Sequence, residues 1–127
     1  MASMSALKSA ATKRTSIVPR YRMYRGKEVV LGPGKAELLQ HIAETGSISE
    51  AARLMGMSYN RAWLHVKVMN ESFREPLVHS TRGGHEHGGA QLTDAGVQVL
   101  KLYRQMEERA AQASRASSRA LEKMVKH

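Results

Sequence analysis

No cysteine occurs among the 127 residues of the chain, which excludes disulfide bonds and cysteine-ligated zinc sites. This composition is compatible with a reducing cytosol. Aromatic residues are also scarce, with one Trp and one Phe, so the core must be mostly aliphatic and methionine-based. No apolar run is long enough to predict a secretory signal or a membrane span, and we therefore expect no membrane partner by way of a spanning segment.

Acidic residues are absent before Glu28, and the whole chain carries 20 Lys and Arg against 11 Asp and Glu, a formal charge of +9. This balance predicts a polyanionic partner, either nucleic acid or an anionic membrane surface, with a merely soluble basic protein as the alternative. We expect residues 1–18 to form a disordered basic arm, although their composition also resembles a transit peptide. The basic residues before Glu28 are Lys8, Lys13, Arg14, Arg20, Arg22, Arg25 and Lys27.

Residues 45–73 have the pattern of a helix-turn-helix. Ser47 is expected to cap the first helix, with Glu50 completing a capping box three residues later. Gly56 is expected to end that helix in the left-handed conformation, and Ser58 to cap the second helix. Helical spacing predicts two buried faces, formed by Ile48, Ala51, Ala52 and Met55 and by Ala62, Val66, Met69 and Phe73.

The start of the second helix, predicted to span residues 58–74, carries polar side chains that suit base edges and phosphates. We therefore expect this helix to enter the major groove of double-stranded DNA. An ordinary helical hairpin with a solvated polar face is the alternative. The candidate DNA contacts of this motif are Ser47, Ser58, Tyr59, Asn60, Arg61, His65 and Lys67.

Two short β-hairpins are predicted on either side of the helices. Residues 20–31 are expected to turn at Gly26, and a helix over residues 35–45 follows. A second hairpin over residues 77–92 is expected to form the wing of a winged-helix domain, with a surface loop as the alternative. Its glycine-rich tip supplies three further candidate DNA contacts, Arg82, Gly83 and Gly84.

A final helix is predicted from Asp94 to about Ser114, with Thr93 as its cap. It is long for so small a domain, so we expect its apolar face to pair two copies; packing wholly on its own domain is the alternative. Residues 115–127 read as a basic tail, although Leu121, Met124 and Val125 are placed to extend the helix. The expected dimerisation residues are Val99, Leu102, Tyr103, Met106, Ala110 and Ala113.

The predicted fold is mainly α with small β-hairpins, a winged helix-turn-helix with a long C-terminal dimerisation helix. The expected divisions are a basic arm at 1–18, the DNA-binding domain at 19–92, the dimerisation helix at 93–114 and a basic tail at 115–127.

The sequence signals for a catalytic or metal-binding site are weaker than the signal for the helix-turn-helix. His79, His85 and His87, with Glu86, invite a metal site, but the histidines of the tip lie two residues apart and no fourth ligand is evident. Ser, Thr and Asp residues form no nucleophile arrangement. We therefore expect no enzyme, no metal and no cofactor.

Many short segments resemble the DNA-binding domain of ModE-type molybdate-responsive transcriptional regulators, a domain related to the LysR-type winged helix. The resemblance covers about residues 20–110 and preserves the order of the segments. These are Gly32-Pro33-Gly34, Thr45-Gly46-Ser47-Ile48-Ser49, Ala51-Ala52, Met57-Ser58-Tyr59, Ala62-Trp63, Glu75-Pro76-Leu77-Val78, Arg82-Gly83-Gly84, Gly88-Gly89-Ala90 and Leu92-Thr93-Asp94-Ala95-Gly96.

The resemblance implies a homodimeric regulator in a bacterial cytoplasm, associated with the nucleoid, with Ser58, Tyr59, Asn60 and Arg61 at the DNA-facing start of the second helix. Molybdate-binding domains follow in full-length members, and we expect this chain to be a stand-alone form without them, with an unknown effector. A link to molybdenum or other metal or oxyanion metabolism follows from the same resemblance. The alternatives are a sequence-independent architectural nucleic-acid-binding protein and a ligand- or metal-responsive module.

Overall fold

The computed structural model describes residues 15–81 and 89–126. The chain divides into two compact units. The larger, Arg20–Glu107, is called the helix-turn-helix unit below. The smaller is formed by the described residues of Met1–Pro19 and Glu108–His127 and is called the terminal unit. No helix in the described part of the chain is both long enough and apolar enough to cross a membrane.

The helix-turn-helix unit begins with the predicted hairpin. Strand β1, Met23–Arg25, pairs antiparallel with strand β2, Glu28–Leu31. Gly26 has φ +63°, a left-handed conformation that glycine adopts without a steric penalty, so the predicted turn is confirmed. Val30 and Leu31 at the end of β2 are buried.

Three helices follow: α1, Pro33–Thr45; α2, Ile48–Met55; and α3, Tyr59–Ser72. Helix α1 begins two residues before its predicted start, because Pro33 occupies its first turn, where proline is tolerated. The buried stripes predicted for α2 and α3 are confirmed, with Met55 and Phe73 half-buried at their ends. The largest fully buried side chains are Leu38, Leu39, Ile42, Met69 and Leu77.

The ends of α2 follow the predicted chemistry with one correction. The hydroxyl oxygen of Ser47 accepts a hydrogen bond from the Glu50 amide at 3.0 Å, and Gly56 ends the helix with φ +67°. The second half of the capping box does not form. The Ser47 amide donates to the Thr45 hydroxyl at 3.2 Å, and the Glu50 carboxylate instead accepts hydrogen bonds from Arg53.

The wing and the last helix of this unit also match the sequence pattern. Strand β3, Val78–Ser80, pairs antiparallel with strand β4, Ala90–Leu92. Helix α4, Asp94–Ala113, then begins. Thr93 caps it, since its hydroxyl oxygen accepts a hydrogen bond from the Gly96 amide at 3.0 Å. The same hydroxyl donates to the Pro76 carbonyl at 2.6 Å.

The terminal unit contains the end of α4 and helix α5, Arg115–Met124. Helix α5 therefore occupies most of residues 115–127, the segment expected to be a basic tail. It contains Leu121 and Met124, two of the residues that the sequence pattern places to extend the preceding helix. Leu121, Met124 and Val125 are exposed.

Candidate nucleic-acid interface

Helix α3 presents the polar start that the sequence predicts. Ser58 precedes it in extended conformation, and its hydroxyl oxygen accepts a hydrogen bond from the Arg61 amide at 3.1 Å. Asn60 and Arg61 are exposed, whereas Tyr59 is half-buried and packs against the core. Because this cap fixes the first turn of α3, the side chains of Asn60 and Arg61 extend into solvent from a backbone that is held in place.

Ser47 lies at the start of α2 and is half-buried. Its hydroxyl oxygen is engaged by the Glu50 amide, yet the hydroxyl hydrogen remains a donor that suits a phosphate oxygen. Ser47 is thus a capping residue first, with any DNA contact added to that role.

Lys67 and Trp63 form one pair on the exposed side of α3. The Lys67 ammonium lies 5.7 Å from the centroid of the Trp63 ring, a cation–π distance. Trp63 also borders a shallow groove with Val66, Asn70 and Val78. The sequence pattern includes Trp63 in the motif but does not predict whether it packs in the core or contacts DNA. In the structure its ring lies beside the Lys67 ammonium.

His65 is half-buried on α3 near two cations. Burial lowers its pKa below the ordinary value of 6.5, and the charges of Lys35 and Arg61 lower that pKa further. The imidazole is therefore neutral at neutral pH in the free protein, and a neutral imidazole offers one hydrogen-bond donor and one acceptor.

Asn70 is a residue that the sequence pattern did not single out. Its side-chain oxygen accepts hydrogen bonds from the amides of Leu77 at 2.8 Å and Val78 at 3.1 Å. Its side-chain nitrogen donates to the Val78 carbonyl at 2.9 Å. These three bonds tie α3 to the first strand of the wing. An asparagine shortly before a helix end and a Pro is the only sequence signal, and it is a weak one.

The tip of the wing lies outside the described residues. This applies to the predicted contacts Arg82, Gly83 and Gly84 and to the candidate ligands His85, Glu86 and His87. At its base, the Thr81 amide donates to the Gly89 carbonyl at 2.9 Å. His79 lies exposed on β3, and residues 15–81 and 89–126 contain no cluster of three His, Asp or Glu side chains placed to hold a metal. The basic arm residues Lys8, Lys13 and Arg14 also lie outside the described residues.

The apolar face of α4 divides into a packed part and an open part. Tyr103 is buried, and its hydroxyl donates to the Tyr21 carbonyl at 2.8 Å; Val99 is half-buried. Leu102 and Met106 are exposed beside an open apolar groove of about 420 Å³. Tyr21, Arg22, Met23, Leu31 and Phe73 also line this groove. Ala110 and Ala113 lie farther along the helix.

The family described as "Bacterial regulatory helix-turn-helix protein, lysR family" matches residues 34–97, which run from the start of α1 into α4. This range contains the complete helix-turn-helix and the wing, so the family match and the structural motif coincide.

Curated relatives match a little more than half of the chain. The chain is 40% identical over 77 residues to "Molybdenum transport protein ModE" of Azotobacter vinelandii, which is 61% of this chain and 28% of that protein. It is 42% identical over 71 residues to "DNA-binding transcriptional dual regulator ModE" of Escherichia coli (strain K12), which is 56% of this chain and 27% of that protein. The matched segment thus spans less than a third of each relative, and the predicted resemblance to ModE-type regulators is confirmed over it.

Solved structures show the same fold. The structure "Crystal structure of CbnR_DBD-DNA complex" superposes with a TM-score of 0.54 at 22% identity, covering 69% of this chain and 95% of that one. Full-length LysG from Corynebacterium glutamicum with bound effector Arg gives a TM-score of 0.53 at 22% identity, covering 72% of this chain and 29% of that one. The predicted winged helix-turn-helix fold with a long C-terminal helix is confirmed.

Proposed function

Because the chain belongs to the lysR family of bacterial regulatory helix-turn-helix proteins, we propose that it regulates transcription by binding a specific double-stranded DNA sequence as a homodimer. Membership of this family places the chain among regulatory DNA-binding proteins rather than enzymes. The observation that carries the proposal is the capped start of α3, where Ser58 holds the first turn and Asn60 and Arg61 extend into solvent.

In this proposal α3 enters the major groove of each half-site. Arg61 suits the two acceptors of guanine and Asn60 suits adenine, because each offers two hydrogen-bonding groups in matching geometry. Ser58 and Tyr59 at the helix start, His65 and Lys67 farther along α3, and Ser47 at the start of α2 add contacts to bases or phosphates. The wing residues Arg82, Gly83 and Gly84 touch the flanking backbone, and Lys8, Lys13 and Arg14 add phosphate contacts without sequence preference.

The homodimer is built on α4. The exposed side chains of Leu102 and Met106, beside the open apolar groove, would be covered by the same face of a second copy. Tyr103 and Val99 support this surface from behind, and Ala110 and Ala113 are the other two dimerisation residues that the sequence predicts. Two-fold symmetry then predicts a palindromic operator whose half-sites lie about one helical turn apart, or a multiple of it.

A DNA partner places the protein at the nucleoid, in the cytoplasm. The names of the ModE relatives, one of them a "Molybdenum transport protein", support regulated genes that serve molybdenum or oxyanion metabolism. The match covers less than a third of those relatives, so their names do not identify an effector for this chain. A rise in melting temperature on adding molybdate would show that the chain itself binds this oxyanion.

Selection of binding sites from fragmented genomic DNA tests the proposal. The purified full chain is incubated at near-physiological salt with competing random DNA, and the bound fragments are sequenced. A recovered palindrome supports a sequence-specific dimeric regulator. Uniform, salt-sensitive recovery without a common sequence would contradict it and favour a sequence-independent architectural protein.

A further inference from the structure

Leu64 is an apolar side chain on the solvent side of α3, where it is 55% exposed. Successive residues of a helix are about 100° apart, so Leu64 lies roughly 200° from both Ala62 and Val66, which are buried. It therefore sits in the middle of the face opposite the core. It is also absent from the cluster of residues packed around that core.

The neighbours of Leu64 are the residues proposed to face DNA. Asn60 lies one turn before it and Lys67 about one turn after it, and both are exposed. Lys67 is held beside the Trp63 ring at 5.7 Å. The exposed face of α3 thus carries one aliphatic side chain among polar ones. Burying that side chain in a complex is favourable where it meets an apolar surface.

The major groove of DNA offers one strongly apolar feature, the C5-methyl group of thymine. We propose that Leu64 contacts a thymine methyl group in each half-site and so selects a T·A pair at that position. The inference rests on the proposed function and adds Leu64, through an apolar contact, to the residues that select particular base pairs. A polar side chain at residue 64 would leave the methyl group without this contact.

Helix geometry places the contacted thymine relative to its neighbours. Leu64 is about 6 Å farther along the helix axis than Asn60, and base pairs are spaced by about 3.4 Å along the duplex. The thymine therefore lies within roughly two base-pair steps of the pair that Asn60 faces.

Deoxyuridine provides the test, because it differs from thymidine only by the missing methyl group. Each thymine of the selected operator is replaced in turn, symmetrically in both half-sites, and the dissociation constant of the full chain is measured. Burial of one methyl-sized group predicts about fourfold weaker binding per half-site at one position. In the L64A variant the same replacement is expected to have no effect at that position.

Leu54 provides the matched control, since it is a leucine of similar exposure, 48%, on α2. The L54A variant is expected to retain the full sensitivity to deoxyuridine. Alanine suits an exposed helix position, so both variants are expected to fold, and their circular dichroism spectra and melting temperatures verify it. Equal sensitivity in L64A and wild type, or no sensitive position in wild type, would overturn the role of Leu64 while leaving specific operator binding intact. Loss of preference for the operator over random DNA in the wild type would instead contradict the proposed function and, with it, this inference.

Discussion

The side chain of Asn70 is bonded in both directions to the backbone of Val78: its nitrogen donates to the carbonyl oxygen at 2.9 Å, and its oxygen accepts from the amide at 3.1 Å. The same oxygen accepts from the Leu77 amide at 2.8 Å. One side chain near the end of α3 therefore holds the backbone at the start of the wing. Any displacement of the end of α3 is therefore coupled through Asn70 to β3, the first strand of the wing.

Replacement of Asn70 by alanine is expected to lower the free energy of unfolding by about 2 kcal/mol, because two backbone amides and one carbonyl lose their partner in a half-buried setting. Chemical denaturation measures the change. Gln40→Ala is the control, since it removes an exposed side-chain hydrogen bond to Glu44 and is expected to cost less than about 0.5 kcal/mol. Equal effects of the two substitutions would contradict the structural role of Asn70.

Gly96 in the first turn of α4 is a second point of close approach to Leu77. A Cβ atom at this position would lie 2.1 Å from the Leu77 carbonyl oxygen, so Gly96→Ala must push α4 away from the segment before the wing. We expect a loss of about 2 kcal/mol or more in the free energy of unfolding.

Gly34 in the first turn of α1 supplies the matched glycine. Among the described residues, no atom outside the adjoining residues and the backbone of α1 itself lies within 4 Å of a Cβ placed there, so Gly34→Ala is expected to be neutral or stabilising by up to about 1 kcal/mol. Thermal melts of the two variants separate the effects. A wild-type melting temperature for Gly96→Ala would show that α4 does not pack as described.

The lowered pKa of His65 predicts a dependence of stability on pH. The folded imidazole binds a proton less readily than the unfolded one, because of burial and the nearby Lys35 and Arg61. The stability contribution is therefore complete above the ordinary pKa of 6.5 and declines as the pH falls through that value, until the folded state also becomes protonated.

We expect the free energy of unfolding to decrease between about pH 7.5 and about pH 5.5, and to decrease less in His65→Gln. Lys35→Gln is expected to have an intermediate slope, since it removes one of the charges that lower the pKa of His65. Denaturation curves across this range measure the slopes. The same slope in the wild type and in His65→Gln would contradict the assignment.

The exposed apolar face of α4 predicts which substitutions weaken the association of the proposed dimer. Met106 is 47% exposed beside the open groove, so Met106→Glu is expected to leave the fold intact and weaken self-association about tenfold or more. Sedimentation equilibrium measures the dissociation constant. Val97, 54% exposed and about 180° away around the same helix, is the control. Val97→Glu is expected to leave association unchanged; equal weakening by both would place the dimer interface elsewhere.

Local chemistry accounts for the parts of the fold that the sequence predicts well. Ser47 and Ser58 cap their helices, and Gly26 and Gly56 adopt positive φ, because each requirement involves only residues a few positions apart. The helical spacing of apolar residues likewise predicts which faces of α2 and α3 are buried.

Contacts between distant parts of the chain account for what the sequence does not predict. The Tyr103 hydroxyl is bonded to Tyr21, 82 residues away, and Asn70 reaches the segment before the wing. One unpredicted contact is local: Glu50 has the spacing of a capping box from Ser47, but it pairs with Arg53, which lies within reach three residues later on the same helix. Leu64 carries no sequence signal of its own, because single exposed leucines are common on protein surfaces.

If the start of α3 reads DNA sequence, the loss of the Arg61 side chain must weaken binding to the operator more than binding to other DNA. Binding of wild type, Arg61→Ala and Arg53→Ala to the selected operator and to a scrambled operator is measured at one salt concentration. Arg53, which pairs with Glu50 on α2, controls for the loss of one positive charge. The account predicts that Arg61→Ala weakens operator binding by about tenfold or more while changing scrambled binding little, and that Arg53→Ala keeps the wild-type ratio. Equal losses on both sequences for Arg61→Ala would contradict the claim, because Arg61 would then contact only phosphate.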